Sequence, residues 1–229
     1  MDDAHAEGYQ VGVELRRDIV APILVAVMLA GGALAYRHLP ALVPMHWDAA
    51  GRVTAWASPL WAVLFPPALA LSVWLLLLLL PAIDPRRANY AAFIGFYRAV
   101  RIALVLVLAA VDAVTLAAAL GHPVDGSVVV PLVVSLLLVF VGNSLPRVRH
   151  NYFVGIRTPW TLADEGVWRR THRFAGPVFV AGGLLGAAGL LLPPPWRAAA
   201  LLFGAGGAGL LSVIYSYFAF ARREGAGRP

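Results

Sequence analysis

The chain reads as an all-α integral membrane protein with six transmembrane helices, N-in and C-in, a structured outer loop and a structured cytoplasmic loop. Three observations carry that reading. Hydrophobic residues make up 60% of the 229 positions and charged residues 13%, where soluble domains run at roughly 45–50% and about 25%. Six apolar runs each approach the roughly 20 residues a helix needs to cross hydrocarbon. All 18 basic residues are arginine, and they are distributed unevenly among the loops.

The expected spans lie at about 18–36, 59–82, 95–120, 128–145, 174–192 and 197–220. The segment ahead of the first carries acidic residues before Arg16 and Arg17, unlike the basic start of a cleaved signal peptide, so the first span is expected to stay as an anchor. The second is the plainest, with Leu75 to Leu80 unbroken before Pro81. The third has Arg98 and Arg101 in its first turns and Asp112 in its interior. The fifth and sixth are rich in small residues, including Gly182, Gly183, Gly186, Gly189, Gly204, Gly206, Gly207 and Gly209, which predicts close packing of the two against each other.

Placing the N-terminus inside puts fifteen arginines in the cytoplasm and three outside, Arg37, Arg52 and Arg197. The positive-inside rule favours that orientation. It also accounts for the net charge of +6 and the pI near 10.3 without direct nucleic acid binding. Membrane lipid is the expected surrounding. The absence of cysteine excludes disulfides and thiol chemistry.

The chain divides into an N-terminal two-span unit, 1–83, with an outer loop at 37–59, and a four-span unit, 84–229, with a cytoplasmic loop at 142–176. Both loops exceed what connection requires, so function is sought there. The outer loop contains Pro40, Pro44 and a turn from Asp48 to Gly51, with Trp47, Trp56 and Trp61 as interfacial aromatics. His46, Trp47, Asp48 and Gly51 are its ligand candidates. His46 and Asp48, with His38, His122 and Asp125, make a weak pattern for a metal, and no metal or other cofactor is expected.

The inner loop is irregular through Pro146, Gly155 and Pro159. Thr161 to Asp164 then resembles a capping box opening a short helix to about Arg173. Val167 and Trp168 on it are expected in the membrane interface, with Arg169, Arg170 and Arg173 reaching lipid phosphates. Within the bilayer, Asp112 is costly unless it faces the bundle or a wet cavity. Asp84 and Asn143 fall at span ends. No His-Glu-x-x-His, Gly-x-Ser-x-Gly, Walker or Gly-x-Gly-x-x-Gly motif occurs, so no catalytic residue is expected.

The inner loop resembles the signature of the SdpI family of bacterial membrane proteins. The matching residues are Gly142-Asn143, Arg147, Arg149, Asn151-Tyr152, Gly155 to Leu162 (including Arg157, Pro159 and Trp160), Val167-Trp168, Thr171-His172-Arg173 and Gly176. The outer loop is similar to the domain of unknown function that often precedes this signature, through Leu39-Pro40, Pro44-x-His46-Trp47-Asp48 and Gly51. It departs at Arg52-Val53-Thr54, where that domain more often has an acidic residue, Pro and Asp. The resemblance implies immunity to a secreted membrane-active peptide toxin met on the outer face. It also implies signalling, by recruitment of a winged-helix repressor on the cytoplasmic face. The competing expectation is a small-molecule, proton-coupled or lipid-handling transporter.

Overall fold

The computed structural model describes residues 10–226, with side chains through Arg223. In chain order the elements are α1 (Val11–Arg17), α2 (Val20–Ala35), strands β1 (Val43–Trp47) and β2 (Val53–Ala57), and α3 (Pro59–Ile83). There follow α4 (Ile94–Ala119), α5 (Gly126–Ser144), α6 (Pro159–Ala163), α7 (Glu165–Ala188) and α8 (Pro194–Ala226). Six helices are long and apolar enough to cross a membrane, over Val20–His38, Pro59–Ile83, Arg87–Ala119, Gly126–Arg147, Glu165–Leu191 and Pro194–Arg223. The spans expected from hydropathy are therefore all present.

The fifth differs at its start. It begins at Glu165 rather than near 174, because Asp164 caps it by accepting from the Val167 backbone N–H at 2.6 Å and the helix then runs unbroken through Pro177. The expected short interfacial helix is thus the first part of α7. The capping box belongs one step earlier, to α6, where Thr158 and Thr161 cap reciprocally.

The outer loop is also more regular than an all-α reading allows. β1 and β2 pair antiparallel, with Val43 opposite Ala57 and Trp47 opposite Val53. Gly51 closes the turn at φ +79°, a conformation that favours glycine.

Two apolar clusters hold the bundle. One joins Ala21, Val25 and Met28 of α2, Ala70, Trp74 and Leu78 of α3, and Val105 of α4. The other gathers Tyr90, Phe93, Tyr97, Val148 and Trp168 beneath the signature loop. The small residues of α7 meet two partners rather than one. Gly182 abuts the Gly204 backbone of α8, as expected, but Gly183 lies against the backbone of Ser135 in α5, and Gly142 of α5 abuts Gly176. A side chain at Gly206, Gly207 or Gly209 would meet nothing within 4 Å, so those three leave the crossing open.

Candidate functional site

The bundle carries two differentiated ends. At one, residues 145–164 fold back over α4 and α7, and buried polar side chains organise the loop. Asn151 is fully buried, and its Oδ1 accepts from the backbone N–H groups of Phe153 and Val154 at 2.9 and 2.7 Å. Its Nδ2 donates to the carbonyls of Arg149 and Val154. Asp84, just past the end of α3, accepts from the N–H groups of Arg86 and Tyr152 and from the Tyr90 hydroxyl. These bonds replace the water that irregular backbone would otherwise need.

His172 joins the loop to α7. The Ile156 N–H donates to its Nε2 at 3.0 Å, so Nδ1 carries the proton and donates to the Trp168 carbonyl at 2.9 Å. Gly155 has φ +110°, and a Cβ there would collide with His172 Nε2. The Gly155–His172 pair is therefore a packing unit. Trp168 is likewise fully buried, donates from Nε1 to the Val148 carbonyl and stacks on His172 with ring centroids 4.1 Å apart. It is not in the membrane interface as expected; the folded-back loop covers it, along with Val167.

His150 accepts at Nε2 from Arg86 Nη1 at 2.6 Å. Burial, and then the Arg86 charge, hold its pKa below the usual histidine value. Trp160 donates to Ser216 Oγ of α8 at 2.6 Å, while Pro159 occupies the first turn of α6. Among the signature residues, Asn143, Arg147, Arg149, Tyr152, Arg157, Pro159 and Arg173 are exposed. Arg157 donates to the Tyr152 carbonyl at 3.1 Å, which places a guanidinium beside an exposed aromatic.

At the other end the hairpin lies over the bundle. His46 Nδ1 is 2.7 Å from Thr54 Oγ1. Asp48 accepts from the Ala50 and Arg52 N–H groups and pairs with the Arg52 guanidinium at 2.8 Å. The Arg52 backbone bond, followed by its side chain, holds the Asp48 carboxyl below its ordinary range. Arg52 and Thr54, the residues that depart from the expected pattern, thus supply the hairpin's own polar partners. Asp125 caps α5 through the Ser127 N–H and pairs with Arg197 of α8 at 3.0 Å. Its carboxyl is lowered by the Ser127 bond and, after the opposing effect of burial, by Arg197.

A cavity of about 390 Å³ lies between hairpin and bundle. His46, Trp47, Asp48 and Gly51 line it together with Asp125 and the apolar wall of Val111, Val114 and Pro131. The four outer-loop candidates therefore share one concave surface. Among the described residues no group of three or more His, Asp or Glu is placed to hold a metal.

Asp112 is 4% exposed in the middle of α4 and makes no hydrogen bond or ion pair with any described residue. The third span holds a second buried charge. Arg101, taken as a cytoplasmic charge at a span end, is fully buried and pairs with Glu14 at 3.1 Å and Asp18 at 2.9 Å. Arg98 pairs with Glu14 at 2.8 Å, and Trp74 Nε1 donates to Asp18. Burial raises the Glu14 carboxyl, but its bonds to Arg98 and Arg101 more than offset that and leave it lowered.

Residues 147–216 match the SdpI/YfhL protein family and residues 23–71 match the domain of unknown function DUF1648. Together with the six spans, these matches define the class: a multi-pass protein of the bacterial plasma membrane. More particularly, the SdpI/YfhL match lies behind the DUF1648 match, in the regions of the two loop motifs. It is 27% identical over 171 residues to the immunity protein SdpI of Bacillus subtilis (strain 168), across 75% of this chain and 80% of that relative. No solved structure matches it.

Proposed function

We propose that this protein protects its own membrane against a secreted membrane-active peptide. The similarity to an immunity protein along three quarters of the chain carries the reading. The 390 Å³ cavity supports it by offering an apolar wall with a polar rim at the membrane surface, a shape suited to one face of an amphipathic peptide. In this reading residues 1–83 supply the hairpin that meets the peptide, residues 84–229 supply the signature loop, and both termini are cytoplasmic.

Signalling is a second layer of the proposal. Peptide bound under the hairpin favours one of two arrangements of the bundle. That arrangement presents Arg157 and its exposed neighbours to a cytoplasmic repressor of winged-helix type. Asn151 and Trp168 act as the scaffold of that surface, since both are fully buried.

The test uses a sensitive bacterial host carrying the intact protein, Trp47→Ala, Arg157→Ala or an empty vector, at equal membrane abundance. Membrane potential is followed with a dye during challenge by a gradient-collapsing peptide. Protection by the intact protein and by Arg157→Ala, with its loss in Trp47→Ala, is the expected result. Equal collapse with and without the protein would exclude immunity to that peptide. If Arg157→Ala retains both protection and repressor recruitment, the signalling layer is wrong.

Asp112 favours one alternative, a proton-coupled or lipid-handling transporter, because a buried carboxylate without a protein partner is a costly thing to keep in a bilayer. That reading predicts that Asp112→Asn abolishes ligand-driven proton flux in proteoliposomes. The immunity reading predicts that protection survives the substitution.

A further inference from the structure

We infer that the groove between α7 and α8, at the end of the bundle that carries the signature loop, binds the phosphate of an anionic phospholipid. The groove encloses about 460 Å³ and is lined by Arg170, Tyr215, Phe218, Ala219, Arg222 and Arg223. On α8 these fall at 215, 218, 219, 222 and 223, a spacing that puts them on one helical face. Arg170 faces them from α7 and donates through Nη2 to the Ala219 carbonyl at 3.2 Å.

The charge balance is one-sided. Three guanidinium groups converge, and the one carboxylate paired with any of them is Asp164, which pairs with Arg223 and also caps α7. Glu165, next along, acts on His150. Arg170 is bonded only to a neutral carbonyl, and Arg222 is exposed and makes no hydrogen bond or ion pair with any described residue. Two cationic groups thus lack a carboxylate partner among the described residues, in a site whose floor is rigid: Tyr215 stacks on Phe174 at 4.1 Å and 7°.

Position selects the ligand. Both spans end here, at Glu165 and Arg223, so the arginines lie at headgroup depth. Below them the same side of the bundle continues into exposed apolar residues of α8, with Phe218 at 55% and Ile214 at 44%. A soluble phosphate would use only the upper half of such a surface. A phospholipid uses both, its phosphate against the guanidinium forks and its chains along α8. Basic pockets between transmembrane helices bind anionic headgroups in this way. The site is independent of any peptide bound at the hairpin end.

Purified full-length protein in neutral detergent is titrated with phosphatidylglycerol, phosphatidylcholine of the same chains, or sn-glycerol 3-phosphate. Retention is read by native mass spectrometry and by the shift in thermal unfolding. Phosphatidylglycerol is expected to bind at least tenfold more tightly than phosphatidylcholine, with no shift from glycerol phosphate. Arg170→Gln with Arg222→Gln should remove most of that preference, whereas Arg37→Gln, a charge loss at the opposite end, should keep it. Arg222→Gln alone, at an exposed position, guards against a folding defect and should lose about threefold. Equal binding of the two lipids, or an unchanged preference in both groove variants, overturns the proposal. A shift from glycerol phosphate equal to that from phosphatidylglycerol also overturns it, in favour of a soluble phosphate.

Discussion

The signature loop and the hairpin cap opposite ends of one bundle, yet they are organised by opposite rules. In the signature loop the polar side chains point inward, and Asn151, Asp84 and His172 saturate its backbone from within. In the hairpin the backbone is satisfied by strand pairing, while His46 bonds to Thr54 and Asp48 pairs with Arg52 at the surface. Substitution in the first therefore tests folding, whereas substitution in the second can test ligand contact with the fold intact.

The positive-φ glycine of each segment makes the sharpest contrast. Gly155→Ala combines an unfavourable φ with a collision against His172 and should cost on the order of 3 kcal/mol or more. Gly51→Ala has a similar φ but nothing within 4 Å of the new Cβ, and should cost about 1 kcal/mol. Membrane abundance and thermal unfolding in detergent would show both. Equal losses would mean that the His172 contact is not what holds the signature loop.

The ion pairs follow the same division at a comparable scale. Arg101→Met leaves Glu14 and Asp18 buried against an apolar chain and should cost about 3–5 kcal/mol. Arg52→Met removes a partner that is 80% exposed and should leave the unfolding temperature within measurement scatter. A large effect of Arg52→Met would show that the hairpin depends on its charges for folding.

Acid should separate the ends more gently. His150 is held below its ordinary value of 6.5, so the folded loop prefers neutral imidazole. Its contribution is complete above that value and declines as pH falls below it, since the unfolded chain binds the proton first. Glu14, lowered from 4.5, contributes above its unfolded value and loses that contribution as pH drops through its folded one. Hydrogen exchange at pH 7.5 and 5.5 should therefore show faster opening of residues 148–158 and little change in the hairpin. Unchanged exchange in that loop would remove His150 from its stability.

Trp47→Ala also has a small expected effect on stability, since it removes cavity lining from a half-exposed position. Unfolding should shift by a degree or two at most while peptide protection is lost; a collapse in abundance would make Trp47 a packing residue of the same kind as Trp168.

Hydropathy made the six spans legible because each apolar run is local. The signature motif was legible too, but its physical meaning was not. Trp168 and Asn151 could pass for contact residues until Val148 and Tyr90, distant in sequence, closed over them. The β-hairpin was hidden because its strands are short and its turn, Asp48 to Gly51, is equally at home in an irregular loop. The pairing of Arg101 was hidden for a similar reason: its partners lie 83 and 87 positions upstream, and no local pattern announces them. The outer-loop candidates fared better, since the Pro44 to Gly51 run lies on one hairpin and so shares a surface.

That long-range cluster also constrains how the protein is made. Arg101 can join this cluster only after Glu14 and Asp18 have been synthesised, some 83 residues earlier for Asp18, or roughly 4–17 s at ordinary rates of chain growth. The two carboxylates must stay at the membrane surface through that interval, and the third span then delivers the cation that seats them. Completion of the N-terminal half is thereby tied to the arrival of one arginine, and a ribosome stalled before position 101 leaves the first helix without its anchor.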